Sequence, residues 1–140
     1  MPRRTLEEAG FSHVGHVCIS DQRAFTVEYD LIPEAEWWVC SLHAYRIRGE
    51  VVRIGKSLFL RQRIAAWQRD VTNALNGKFR RGATTQAEAN EWANRLVPNL
   101  RGDFFAMRIL PPDIKVLRSK ERQLVCEYDL PLNHERRRRA

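Results

Sequence analysis

An apolar stripe with helical spacing runs through residues 57–75 and dominates the middle of the chain. Ser57 stands where a side chain can cap the start of this helix, and Gly77 follows its predicted end. A helix with one apolar side has to bury it against a second layer, so the flanking segments decide the fold class. The stripe consists of Leu60, Ile64, Trp67, Val71 and Leu75.

The segments before this helix alternate between apolar and polar residues, as β-strands do. They predict two hairpins with strands at 16–20, 24–31, 38–47 and 50–54. After the helix, the patterns predict a second helix, a strand and a third helix at 85–97, 104–110 and 112–128. The predicted fold class is therefore α+β: a small mixed or antiparallel sheet flanked by helices in the order β-β-α-α-β-α, with an extra N-terminal β-hairpin.

Charge divides the chain into two parts. Residues 1–36 carry three basic and seven acidic side chains, whereas residues 37–140 carry 21 basic and 10 acidic side chains. A basic surface on a small domain is typical of proteins that bind a polyanion such as DNA. Seven cationic residues are candidate nucleic-acid contacts: Lys56, Arg61, Arg69, Arg136, Arg137, Arg138 and Arg139.

Cysteine usage and hydropathy indicate the cellular compartment. Cys18, Cys40 and Cys126 are odd in number and widely spaced, which fits neither a disulfide framework nor a zinc motif. No apolar run approaches the roughly 20 residues of a membrane span, and acidic residues stand where a signal peptide would be apolar. The sequence therefore predicts a soluble, cytoplasmic protein. His13, His16 and Cys18 are interpreted as neighbours on a strand rather than as metal ligands.

Glu121 is the residue that disagrees with its predicted surroundings. At about 100° per residue, it lies among Leu117, Leu124 and Val125 on the face that the third helix buries. A carboxylate that faces a core is costly unless a cation or a metal ion compensates its charge. Arg63 lies similarly at the flank of the first helix's stripe. Both an ion pair and the floor of a functional site explain such a pair of opposite charges.

Four short segments together resemble the GIY-YIG nuclease family. Gly49–Ser57 is similar to the second strand of that motif and the turn after it, and Leu60–Ile64 to its Leu-x-x-Arg-Leu helix. Glu121–Val125 and Pro131–Asn133 are similar to the later Glu-x-x-Leu-Ile and Pro-x-Asn motifs. The resemblance covers residues 38–134.

This resemblance implies hydrolysis of DNA phosphodiester bonds with a divalent cofactor, Mg²⁺ or Mn²⁺. It places the family's catalytic arginine on Arg63, its metal-binding glutamate on Glu121 and its asparagine on Asn133. The implied partner is double-stranded or branched DNA, and specificity is expected from the N-terminal hairpin, a homodimer or a partner protein. The implied division of the chain is into a hairpin extension, a nuclease domain and a basic tail: residues 1–36, 37–134 and 135–140.

The two signature tyrosines of the family are replaced. His43 stands where the first is expected, and Arg53 takes the place of the second. An imidazole has an ordinary pKa of about 6.5, so His43 is a candidate general base, whereas Arg53 can only add positive charge. Tyr45, two residues along the same strand face, is a second candidate base. Trp67 occupies a position where several family members have histidine.

Three functions fit these sequence features. The first is a metal-dependent DNA endonuclease with a modified GIY-YIG site. The second is a catalytically inactive nucleic-acid-binding module of the same fold, which the loss of both tyrosines favours. The third is an unrelated α+β protein that binds a protein partner or structured RNA through Trp37-Trp38 and the acidic first segment.

Overall fold

A computed structural model describes residues 3–78, 86–96, 98 and 100–130, with the backbone alone at 86–89. The strands are β1 Ser12–Ile19, β2 Phe25–Glu28, β3 Val39–Ile47, β4 Glu50–Phe59 and β5 Arg101–Arg108. The helices are a short 3-10 helix Pro33–Trp37, then α1 Leu60–Leu75, α2 Gln86–Arg95 and α3 Ile114–Glu127. The α+β class and the predicted order of elements are confirmed.

All strand pairs are antiparallel, and the five strands form one sheet in the order β2-β1-β5-β3-β4. The first hairpin joins the rest of the sheet because β1 pairs with β5. Strand β4 is an edge strand, connected to β3 through a turn at Arg48 and Gly49. Both turn residues have positive φ angles, 53° and 80°, as tight hairpin turns require. The predicted turn is confirmed.

The sheet separates two apolar clusters. One face is covered by α1 and α2 and includes Tyr45, Val52, Ile64, Trp67, Trp92 and Phe104. The other face is covered by α3 and the N-terminal segment and includes Leu6, Leu42, Ile54, Phe105, Leu117 and Leu124. Among the described residues, no helix has the length and apolar character needed to cross a membrane.

Strand β4 is longer than the sequence predicts, and the predicted cap at Ser57 is wrong. Ser57 pairs with Ser41 of β3, and its buried hydroxyl donates to the Ser41 carbonyl at 3.4 Å. Helix α1 begins only at Leu60, after Phe59, without a side-chain cap. Cross-strand pairing and burial outweigh the capping preference of a serine. The extension carries Lys56 along the edge of the sheet.

Candidate functional site

Strand β3 carries a row of polar side chains into the core beneath α1 and α2. Ser41, His43 and Tyr45 alternate along the strand, and His43 is only 1% exposed. The rings of His43 and Tyr45 lie 5.9 Å apart, edge to face. Within the described residues, the Ser41 Oγ, His43 Nδ1 and Tyr45 hydroxyl atoms have no hydrogen-bond partner. Such buried polar atoms are uncommon in proteins and need an explanation.

The absence of a side chain at Gly55 leaves room for the His43 ring. The two residues are paired across β3 and β4. A β-carbon on residue 55 would lie 2.7 Å from His43 Nε2 and 2.8 Å from Cε1, closer than atoms of a folded protein approach. The ring therefore occupies the space that a side chain at position 55 would need.

We expect Gly55→Ala to lower the free energy of unfolding by about 1–3 kcal/mol, because the added methyl overpacks a buried ring. In a His43→Ala background the ring is absent, so the same change should have little effect. Urea unfolding of the four proteins of this double-mutant cycle measures the coupling. Additive effects would show that the two residues do not meet.

Two arginines surround His43 with positive charge. The Arg53 guanidinium lies 4.1 Å from the centre of the Trp67 ring, and that of Arg63 lies 5.8 Å from it. Trp67, on α1, thus receives both guanidinium groups on its ring. Burial, and then the charges of Arg53 and Arg63, hold the pKa of His43 well below its ordinary value. The imidazole is therefore neutral at neutral pH.

This lowered pKa predicts that mild acid destabilises the protein. Below the ordinary histidine pKa of about 6.5, the unfolded chain binds a proton that folded His43 does not. The free energy of unfolding should therefore fall with decreasing pH, by up to about 1.4 kcal/mol per pH unit. Urea unfolding between about pH 7 and pH 5 measures this slope, and His43→Gln should flatten it. Equal slopes in the two proteins would contradict the prediction.

A cleft of about 430 Å³ opens at the β4 edge, between the start of α1 and the start of α3. It spans the edge of the sheet, because Lys56 lies on the α3 face and Arg63 belongs to α1 over the other face. Five polar residues, three of them cations, line it together with four apolar residues: Lys56, Arg63, Arg118, Ser57 and Gln62, and Leu58, Phe59, Ile114 and Leu117. The three cations at its rim suit a phosphate group, and the apolar residues form the rest of its wall.

Glu121 lies beside this cleft, in an ion pair. Its Oε1 atom is 3.0 Å from the Lys56 ammonium, and its side chain is 18% exposed. The anomalous position of Glu121 on the buried side of α3 is therefore explained by a lysine on β4. Arg118, which sequence reasoning missed, stands one turn before Glu121 on the same helix, and that spacing was the available signal.

The predicted site residues fall into two groups. His43 and Arg53 lie on the α1 face of the sheet, whereas Lys56 and Glu121 lie on the α3 face. Arg63 connects the groups, since its charge acts on His43 and its side chain lines the cleft with Lys56. Arg61 contacts the exposed Trp37 ring at 4.7 Å, and Arg69 is exposed farther along α1. Four arginines and one asparagine lie outside the described residues: Arg136, Arg137, Arg138, Arg139 and Asn133.

Comparisons with known proteins give a fold likeness. No family model and no curated protein matches the chain. A mutant of bacteriophage T4 EndoII superposes with a TM-score of 0.58 at 15% identity, covering 88% of this chain and 91% of that one. The restriction endonuclease Hpy188I in complex with product DNA gives a TM-score of 0.48 at 16% identity, covering 71% and 56%. The first comparison shows that this chain has the EndoII fold over most of its length.

Proposed function

We propose that this protein is a divalent-metal-dependent DNA endonuclease of the GIY-YIG type with a modified active site, acting in the cytoplasm on double-stranded or branched DNA. The observation that carries the proposal is the position of Arg63. It lines the β4-edge cleft with Lys56, whose ammonium contacts Glu121, and its charge also acts on His43. The EndoII fold supports the proposal, because that protein is named as an endonuclease.

The cleft cations would bind the scissile phosphate. Arg63 offers a planar set of donors that matches two phosphate oxygens, and Lys56 and Arg118 add positive charge from the opposite side of the cleft. Charge that develops on the phosphate during hydrolysis is stabilised by such preorganised donors. Lys56 is 42% exposed on its side chain, so it can leave Glu121 for a phosphate oxygen.

Glu121 would hold the divalent cation. Mg²⁺ binds through one or two carboxylates together with water and substrate phosphate, so one partly exposed glutamate beside a phosphate site fits this ion. When bound, the cation supplies Lewis-acid stabilisation of the leaving oxygen. Release of Glu121 from Lys56 would free the carboxylate, and the phosphate would take over the lysine. The ion pair therefore keeps Lys56 and Glu121 in position for phosphate binding and cation binding.

His43 would accept the proton of the attacking water. Its lowered pKa keeps the imidazole neutral, which is the state that can take a proton. Since the residue is 1% exposed, this role requires a water molecule that enters the core beside the ring. The unpartnered Nδ1 atom is available as its acceptor. Arg53, next to it in space, would add positive charge and take no proton.

A second candidate function is an inactive nucleic-acid-binding module. Two observations favour it: His43 is buried, and the Lys56 ammonium already neutralises Glu121. The cleft cations would bind phosphate in either case. His43 and Glu121 also lie on opposite faces of the sheet, which hinders the two side chains from acting on the same phosphate.

Nicking of supercoiled plasmid separates the two functions. The endonuclease should convert supercoiled to open-circular DNA in Mg²⁺ or Mn²⁺ and stop when the metal is chelated. Gel shifts across a salt series, run on linear and branched duplexes with and without metal, measure binding separately. Binding without nicking under every metal condition would establish the inactive module. If the protein neither binds nor nicks DNA, both proposals are overturned. The oligomeric state of the active fraction then tests whether a homodimer or a partner protein supplies specificity.

The basic tail is expected to add affinity without sequence preference. Each duplex phosphate that Arg136–Arg139 neutralise releases counterions, so replacing all four with glutamine should flatten the plot of log affinity against log salt. The slope should fall by up to about 0.9 for each lost contact. Gel shifts of the two proteins on one duplex measure it. An unchanged slope would show that the tail does not touch DNA.

A further inference from the structure

Strand β1 contains a β-bulge that brings two histidines together. His13 pairs with Phe105 of β5, but Gly15 pairs with the residue just before Phe105, so Val14 is the extra residue. Residues three apart on a regular strand point to opposite faces, and one inserted residue restores a common face. The His13 and His16 rings accordingly lie 5.4 Å apart. The interpretation of these histidines as ordinary strand neighbours overlooked this bulge, whose local signal is Gly15, since a lone glycine inside a strand pattern often marks one.

Gly15 is required for this arrangement. A β-carbon at residue 15 would lie 1.7 Å from the carbonyl oxygen of Glu28 on β2, so any other residue would push the two strands apart. The bulge is thus fixed from both sides, by β2 and by β5. Bulges of this kind redirect side chains and are common beside functional sites.

Asp103 completes the cluster from β5, directly opposite His16. One ligand atom from each of His13, His16 and Asp103 lies within 4.8 Å of the other two. The His13 Nε2 atom is buried and, among the described residues, lacks an aligned hydrogen bond, although Asp103 Oδ1 is 3.2 Å away. Two ligands of a tetrahedral zinc ion stand about 3.3 Å apart, given metal–ligand distances of about 2.0–2.1 Å. This pair therefore already has the spacing of two metal ligands.

Neighbouring charged residues orient the His16 and Asp103 side chains, as the residues behind the ligands do in protein metal sites. His16 Nδ1 lies 2.8 Å from the Asp30 carboxylate, and a proton on Nδ1 leaves Nε2 with its lone pair. Asp30 is held in turn by Arg101 at 3.2 Å. Arg46 contacts the Oδ2 atom of Asp103 at 3.1 Å, so Oδ1 is the oxygen left toward His13. A carboxylate behind a ligating histidine is a usual feature of protein metal centres.

We infer that His13, His16 and Asp103 form a binding site for a divalent transition-metal ion, with zinc as the expected ion and a fourth position for water or another ligand. Imidazole and carboxylate donors in this number suit zinc and similar ions rather than magnesium. The site is separate from the β4-edge cleft, since β3 lies between β5 and β4. A bound ion would cross-link β1 to β5, the strands through which the first hairpin joins the sheet. The inference does not rest on the proposed nuclease activity.

Cobalt titration of the full chain tests this site, after the protein has been stripped of metal with a chelator. The visible absorption of a four- or five-coordinate Co²⁺ ion should appear and saturate at one equivalent per chain. Zn²⁺ should displace it, and Mg²⁺ should not. His13→Gln, His16→Gln and Asp103→Asn should each weaken binding at least about tenfold. Asp21→Asn, at an exposed turn, is the control carboxylate, and Glu121→Gln tests the cleft; both should leave the cobalt spectrum unchanged.

Imidazole nitrogen shifts in the wild-type protein give a readout that does not depend on variants. Added Zn²⁺ should move the resonances of His13 and His16 and leave those of His43 in place. The inference would be overturned if zinc shifted the His43 resonances instead. It would also be overturned if cobalt did not bind stoichiometrically, or if its spectrum did not respond to any of the three substitutions. Cleavage activity enters none of these measurements, so failure of the nuclease proposal and failure of this one are distinguishable.

Discussion

Glu121→Gln should abolish metal-dependent DNA cleavage and leave DNA affinity nearly unchanged. The substitution keeps the size of the side chain and removes the negative charge that would hold the cation. It also frees Lys56, whose ammonium lies 3.0 Å from Glu121 Oε1, so the phosphate contacts of the cleft are retained. Plasmid nicking at saturating metal, together with gel shifts on the same DNA, measures both halves of the prediction.

Two matched variants separate metal binding from the loss of an ion pair. Lys56→Gln breaks the same pair and keeps the carboxylate, so cleavage should persist with weaker DNA binding. Glu127→Gln removes another carboxylate of α3, one that pairs with Arg4 at 2.6 Å far from the cleft, and should cleave like the wild type. Full activity in Glu121→Gln would remove this residue from the metal site.

The sequence predicts most of the fold because its signals are local. The stripe on α1, the alternation of β3 and the turn at Arg48 and Gly49 each follow from neighbouring residues. The errors arise where distant contacts decide. Ser57 is of a residue type that often caps helices, but it is paired with Ser41, sixteen residues earlier in the chain. The pairing of β1 with β5 joins segments that no local pattern connects.

The candidate site, like the fold, is predictable from the sequence only where its signals are local. Glu121 stands out from the sequence because a charge falls on an apolar helix face, but its partner Lys56 lies on another element and no spacing identifies it. The helical position of Arg63 predicts that it points toward the core, but its side chain is exposed, and its place beside both His43 and the cleft follows only from the folded sheet. The three-residue separation of His13 and His16 argues against a shared site until the bulge is known.

His43→Ala should lower the rate of cleavage by roughly 10²–10⁴-fold, the usual contribution of a positioned general base. Because His43 is buried, its truncation also lowers stability, so the rate is compared at equal folded fraction. His43→Gln keeps more of the volume and has no basic nitrogen, and it should be equally slow. Tyr45→Phe is the matched control on the same strand face. It removes a buried hydroxyl that lacks a partner among the described residues, and it should retain activity.

The pH dependence of cleavage distinguishes the two candidate bases on β3. The pKa of His43 is held well below its ordinary value by burial, Arg53 and Arg63, so a histidine base is fully neutral at neutral pH. Its rate should be level above about pH 6.5 and fall only in acid, as the ring becomes protonated. Burial raises the pKa of Tyr45, so a tyrosine base would instead give a rate that keeps rising into strongly alkaline solution. A rising profile that Tyr45→Phe removes and His43→Ala leaves intact would transfer the role to Tyr45, because only the group that accepts the proton sets the pH at which the rate levels off.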